Sequence, residues 1–375
     1  MKFSINRIKL LEELNKANKI IDTRNINPAF SGIFLEASVD RMVVISTNGT
    51  LAFKSILNNV NSDLDINIPG KVLIKPKYVL ETLRRSEEEF VNFSVIEDSE
   101  LKITTDHAEF NINILDADDY PMLGFREKGI VLEIDPREFK KTINQTIVTV
   151  DEYNKKLSLT GLNLKVQNNE VIISGTDTFR ISQRIIKLEE SFDELVNITI
   201  PFKTIVELPK LLDNARKLKI ILSDGYVTFS IDSVLFQSNL IDGQFPNVSQ
   251  AFPKEFAQTL IVDSKSFLKA LNRADLPNDD GLPPIINLRI ENGKIFIKST
   301  ISEIGNYEEE FENFKTTDDL DLQISFNAKF LTDAIKTFDS EQIELKFNDS
   351  IKPLVVQRAN DETLKQVILP TFLGN

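Results

Sequence analysis

The chain has 375 residues, enough for two or three domains, with 41% hydrophobic and 27% charged residues, which is globular composition. It holds no Cys and one His, which excludes disulfides, thiolate nucleophiles and Cys-based zinc sites and leaves His107 alone to serve any His-dependent triad or metal site. A net charge of −13 argues against a polyanionic partner until its distribution along the chain is read.

The opening Met1-Lys2-Phe3-Ser4-Ile5-Asn6-Arg7 runs into Glu12 and Glu13, so it lacks a signal-peptide apolar core, and no apolar run approaches a membrane span. A soluble, cytoplasmic protein without a membrane partner is expected. Phe3 to Lys19 reads as a short strand and then a helix. A tight turn fits at Val39-Asp40, a strand end running into a helix at Ile74 to Leu83, and a second turn at Asp98-Ser99. His107 follows in a predicted strand, and a strand is expected to run to Pro121. Leu123 to Gly129 reads as a linker.

The same order then returns. Leu132 to Ile147 is a strand and helix, Asn168-Asn169 a turn, Ile200 to Leu208 a strand end and helix, Asp224-Gly225 a turn, and Pro246 a strand end. Ser249 to Gln258, with Pro253, is the second linker. Leu260 to Arg273, Asn292-Gly293, Phe326 to Ile335, Asp349-Ser350 and Pro370 repeat the series a third time. Lys77, Lys203 and Lys329 align at a constant step of 126 residues. The pattern predicts an α+β protein of three repeated domains, 1–124, 130–249 and 258–375, each with two helices packed on antiparallel sheet.

Charge follows the elements. The six helical windows 7–19, 75–85, 137–147, 203–219, 265–273 and 329–336 hold 21 Lys and Arg against 7 Asp and Glu, a net +14 that leaves −27 elsewhere. Helices that merely favoured charge at a solvated face would be rich in Glu too. The asymmetry instead suits helices that face one polyanion, an attraction that is sequence-independent and compatible with sliding.

Catalytic chemistry is not offered. No phosphate-cradling loop or dinucleotide fingerprint is present. Ser266 and Lys269 have an S-x-x-K spacing without its companion motifs, and Asp116-Ala117-Asp118-Asp119 reads as a solvated turn rather than a cation site. No cofactor and no metal are expected.

Several segments resemble the bacterial DNA sliding clamp, the beta subunit of DNA polymerase III. Thr176-Asp177-Thr178-Phe179-Arg180-Ile181 is similar to the family's T-D-x-x-R-[LI], Asp242-Gly243-Gln244-Phe245-Pro246 to its D-G-x-[FY]-P, and Val367-Ile368-Leu369-Pro370-Thr371 to its terminal apolar stretch. The resemblance spans the whole chain. It implies a head-to-tail homodimeric ring with pseudo-sixfold symmetry, helices lining the hole, and Phe110 and Ile112 meeting Leu276 across the dimer interface. It implies a peptide pocket at Leu159, Thr176, Thr178, Phe179, Arg180, Ile181, Pro246, Gln250, Pro353, Val367, Ile368, Leu369, Pro370 and Thr371. Thr178 and Phe179 stand where the family has Gly and often His, and Gln250 where a basic residue is frequent. Arg24, Lys156 and Lys203 match the family's backbone-contacting cations, joined by Lys77 and Lys329 from the basic helices. The implied partners are duplex DNA, a second copy of the chain, the replicative polymerase alpha subunit, the clamp loader and other clamp-motif proteins. The alternative is a scaffold of the same fold that binds proteins without encircling DNA.

Overall fold

A computed structural model describes residues 1–121, 123–275, 285–301, 305–316 and 322–371. The chain forms two compact units, Met1–Phe139 with Val206–Leu240, and Lys140–Ile205 with Ile241–Asn375.

The first unit holds two antiparallel sheets. One has the order β5 (Asp65–Ile68), β1 (Lys2–Asn6), β7 (Phe90–Ile96), β8 (Glu100–Thr104), β9 (Glu109–Asn113). The other runs β10 (Ile130–Glu133), β13 (Leu218–Ser223), β14 (Tyr226–Ile231), β15 (Val234–Asn239), β4 (Leu51–Asn58), β3 (Arg41–Thr47), β2 (Ile33–Ala37), β6 (Gly70–Ile74). Its middle rung joins Phe236 of β15 to Phe53 of β4, so strands of the first and second repeats share one sheet. Helices α1 (Arg7–Asn18) and α3 (Pro76–Arg85) pack together, burying Leu10, Leu14, Leu80 and Leu83, while Phe3 stacks on Phe93 at 4.8 Å. A one-turn helix, α2, covers Asn59–Ser62.

The second unit also holds two sheets. Its larger one runs β11 (Gly161–Thr176), β12 (Arg180–Pro201), β24 (Asp361–Ile368), β23 (Leu354–Arg358), β22 (Gln342–Phe347), β16 (Gln258–Asp263), β20 (Phe314–Thr316). The smaller has the order β19 (Gly305–Phe311), β18 (Lys294–Ile301), β17 (Ile285–Glu291), β21 (Leu322–Asn327). Here β12 of the second repeat pairs with β24 of the third. Helices α6 (Ser264–Ala274) and α7 (Ala328–Lys336) pack over a core of Phe267, Leu271, Leu331, Ile335 and Phe347. The remaining helices, α4 (Pro136–Thr146) and α5 (Phe202–Leu211), complete the expected pair in the second repeat.

Local chemistry sets the helix starts. Asn6, Asp263 and Asn327 accept first-turn N–H groups of α1, α6 and α7, and Pro76 and Pro136 open α3 and α4 with the φ that a first turn requires. The far ends repeat as well. Ser46 donates to the Ala17 carbonyl at the end of α1, and Ser299 donates to Ala274 at the end of α6. In the second repeat the equivalent position is Gly175, where a Cβ would lie 2.9 Å from the Thr146 carbonyl; Thr149 Oγ1 donates to that oxygen instead.

Several expectations need correction. Residues 203–219 are not one helix, because α5 stops at Leu211 and 218–219 already belong to β13. Asn168-Asn169 is no turn: Asn168 lies inside β11 opposite Phe192, with φ +55 at an irregularity in the ladder. Asp349-Ser350 lies in a wider loop, in which Asp349 accepts from the N–H groups of Ile351 and Lys352. The strands before Pro121 and Pro246 end earlier, at Asn113 and Asn239. His107 sits in the bend between β8 and β9 and is exposed, not in a strand. Among the described residues, no helix is long and apolar enough to cross a membrane, and no cluster of His, Asp and Glu could hold a metal ion.

Candidate functional site

The segment Thr176 to Ile181 is the tight connection between β11 and β12 in the second unit. Thr176 Oγ1 donates to the Arg180 carbonyl at 2.7 Å and accepts from Thr178 N at 3.1 Å. Asp177 Oδ1 accepts from Phe179 N and Arg180 N, and Oδ2 from Arg180 Nε at 2.8 Å. Thr178 is thereby held at φ +81, which a β-branched residue rarely adopts and which makes Gly at home there. The strained turn pushes Phe179 out, 60% exposed.

Arg180 turns the other way and is satisfied. Its side chain is 10% exposed, bound by Asp177 and, through Nη1 at 2.9 Å, by Asp333 of α7. Its guanidinium lies over the Phe330 ring at 4.3 Å, and Phe179 stacks on the same ring at 6.5 Å. Phe330 and Asp333 were not among the expected pocket residues. Their helical i, i+3 spacing after the aligned Lys329 was the signal available.

β24 brings the C-terminal stretch to this turn. Arg180 pairs with Ile368 and Ile181 with Val367, Leu354 and Val355 flank from β23, and Leu369 N donates to the Phe179 carbonyl at 2.9 Å. Leu369 is 40% exposed beside Phe179, and Thr371 N is anchored on Ser325. A buried polar set fixes the register. Gln366 donates to the Gln145 carbonyl and to Thr337 Oγ1 and accepts from Ser182, and Gln145 donates to the Thr337 carbonyl.

The expected residues thus divide. Thr176, Thr178, Phe179, Arg180, Ile181, Val367, Ile368, Leu369 and Pro370 come together, with Pro353 just before β23. Leu159, Val367 and Ile368 are buried and serve as core. Pro246 is half-buried and Gln250 exposed on the segment after β15.

The expected cations are all exposed. Arg24 and Lys156 sit in Asx turns on Asp22 and Asn154. Lys77, Lys203 and Lys329 each occupy the second residue of a helix, α3, α5 and α7, and none of these helices has an acid in its first turn. A lysine there opposes the helix dipole, so the position favours an external anion. Basic residues outnumber acidic ones in α1 and α3 to α7 alike.

Models of the DNA polymerase III beta subunit match three consecutive stretches: the N-terminal domain over residues 1–124, the central domain over 133–247 and the C-terminal domain over 249–372. The beta sliding clamp of Mycoplasma capricolum subsp. capricolum is 57% identical over 375 residues, covering 100% of both chains. That of Bacillus subtilis is 31% identical, covering 99% of each, and the crystal structure of the DNA polymerase sliding clamp from Bacillus subtilis has a TM-score of 0.94 over 100% of both chains at 30% identity. The chain belongs to the bacterial beta sliding clamp family. It is a DNA sliding clamp, a replication processivity factor without catalytic activity, in a family that binds DNA and replication proteins.

Two further features of the clamp concern its sheet edges. β9 ends one sheet of the first unit with Phe110 exposed and Ile112 half-buried, beside a groove of about 660 Å³ walled by Tyr78, Thr82 and Arg85 of α3. β19 ends the smaller sheet of the second unit. Leu276 lies outside the described residues. Ser266 and Lys269 are explained by α6, since Ser266 N is the donor to the Asp263 cap. Asp118 pairs with Lys71, which leaves the acidic run a surface turn.

Proposed function

We propose that two copies of the chain close head to tail into a ring around duplex DNA, with β9 of one copy hydrogen-bonded to β19 of the other. The supporting observation is that each internal junction uses the same strands. In every repeat, the residue four before the first helix lies on a ladder rung that crosses the sheet in the same strand order. In the first repeat that rung is Phe3–Phe93–Ile103–Phe110. In the second it is Leu132–Ile220–Phe229–Phe236, which continues into Phe53 and Ser46 of the first repeat. In the third it is Leu260–Leu345–Val356–Gln366, which continues into Ser182 and Gly175 of the second. In the first repeat the rung stops at Phe110, on the edge strand β9. In the third repeat the Ser299–Tyr307 pair, equivalent to Ser46–Phe53, ends at the free side of β19. Joining the two loose ends puts Phe110 opposite Tyr307 of the second copy and covers both exposed edges.

The chain has no Cys, so engineered pairs test this register cleanly. Directly opposed residues lie within disulfide reach. Phe110→Cys with Tyr307→Cys is expected to oxidise to a covalent dimer, and Phe110→Cys with Gly305→Cys is not. No crosslink, or one only with the shifted pair, refutes the proposed closure.

Within this ring, domains 1–124, 130–249 and 258–375 would present Arg24, Lys77, Lys156, Lys203 and Lys329 to DNA phosphates. The mouth formed by Phe179, Ile181, Leu369 and Pro370 over Arg180 and Phe330 would take the apolar peptide tails of the polymerase alpha subunit, the clamp loader and other replication proteins in the cytoplasm. Charge reversal at Lys77, Lys203 and Lys329 is expected to abolish retention on DNA while peptide still binds; retention unchanged would favour a scaffold that does not encircle DNA. Phe179→Ala is expected to weaken peptide binding by about tenfold, since exposed aromatic anchors carry most of such an interface.

A further inference from the structure

Asp333 stands between the two sites. Its Oδ2 accepts from Arg180 Nη1 and from Lys329 Nζ, each at 2.9 Å. The donors are unlike. Arg180 is 10% exposed and also held by Asp177 and the Phe330 ring, whereas Lys329 is 62% exposed. Lys329 also sits in the first turn of α7, at the positive end of the helix dipole, with no acid in that turn. An external phosphate competes well for Lys329, and Arg180 is shielded from that competition.

We propose that Asp333 is a positioning residue through which the peptide pocket responds to DNA. This deepens the function proposed above and rests on its reading of Lys329 as a phosphate contact and of Phe179 as the pocket mouth. A phosphate at Lys329 draws the ammonium off the shared carboxylate. Asp333 then serves Arg180 alone, and Arg180 is pinned over Phe330, the ring on which Phe179 stacks. A wall ordered in advance leaves less to be ordered when a peptide binds. The coupling is reciprocal: a bound peptide that holds Arg180 on Asp333 frees Lys329 for phosphate by the same factor. The equivalent lysines lack this link, because Glu81, four residues after Lys77, pairs with Arg84 and Arg85, and Glu207, four after Lys203, pairs with Lys210.

The experiment uses the full chain, a fluorescent peptide carrying the clamp-binding tail of the polymerase alpha subunit, and a short linear duplex over whose ends the ring can thread at low salt. Peptide affinity is read without duplex and with duplex in excess. The wild type is expected to tighten about twofold, the scale of one exposed ion pair along a helix. Lys329→Gln binds peptide about twofold tighter without duplex and gains nothing more when duplex is added. Lys77→Gln loses a cation at the same helical position and, with duplex raised until its weaker DNA binding is saturated, tightens on peptide as the wild type does. A wild type that does not tighten, a Lys329→Gln variant that still responds, or a Lys77→Gln variant that loses the response overturns the coupling. Phe179→Ala with undiminished peptide affinity overturns the pocket reading instead, so the two failures are told apart.

Discussion

Helices α3 and α7 are the same element of two repeats, and their first turns match closely. Each places an exposed lysine second, Lys77 or Lys329, and an acid four residues later, Glu81 or Asp333. The difference lies in where the acid turns. Glu81 runs along its own helix to Arg84 at 2.7 Å and Arg85 at 3.3 Å, and all three side chains are well exposed. Such pairs stabilise a helix by a few tenths of a kcal/mol and say nothing of tertiary structure. Asp333 pairs with Lys329 of its own helix but also reaches Arg180 on β12, a guanidinium largely withdrawn from water. One local pattern therefore yields a surface pair in α3 and a part of the candidate site in α7, and the deciding factor is the strand that the rest of the fold brings alongside.

The largest effect expected from this contrast is on stability. Asp333→Ala leaves Arg180 with Asp177 as its one carboxylate and should cost about 2 kcal/mol, the scale of a lost hydrogen bond to a largely buried charge. Glu81→Ala should cost at most about 0.5 kcal/mol, because its partners remain solvated. Urea midpoints of the two variants measure the difference, and equal losses would erase the distinction between the helices. A smaller effect is expected on DNA. Each Lys→Gln change at 77, 203 or 329 should lower the slope of log affinity against log salt by about one, the share of a single phosphate contact. A slope that falls at some of these positions and not at others would show that the three helices do not present their lysines to DNA alike.

Much of the repeat was legible because helix chemistry is local. The constant step between Lys77, Lys203 and Lys329 places the starts of α3, α5 and α7 within a residue or two. Strand partners were not legible. Phe236 alternates with its neighbours as any half-buried strand residue does, and nothing in that alternation says that it meets Phe53 of the preceding repeat. The turn at Asn168 failed for the related reason that a ladder irregularity and a hairpin tip both favour Asn at positive φ. In the site, Thr176 to Ile181 and Leu369 were readable as motifs. Phe330 and Asp333 were not, since their role comes from a side chain 150 or more residues away in sequence.

The smallest effect concerns the caps of α6 and α7, which differ by one charge. Asp263 caps α6 and Asn327 caps α7. Hydrogen bonds from Ser266, with Lys265 and Lys269 nearby, hold the Asp263 carboxyl below the usual carboxylate range. A folded-state pKa below the unfolded value contributes stability above the unfolded pKa, about 3.9, and that contribution is lost as pH falls through the lowered folded value. Asp263→Asn keeps an acceptor for the Ser266 N–H but cannot titrate. Its stability deficit relative to the wild type should therefore be present near neutral pH and shrink in acid, while Asn327→Asp should give α7 the acid sensitivity that it lacks. Denaturant midpoints of both variants at about pH 7 and about pH 3 test this. A deficit of Asp263→Asn that stays constant between the two would mean that the cap works through its geometry, with its charge contributing nothing.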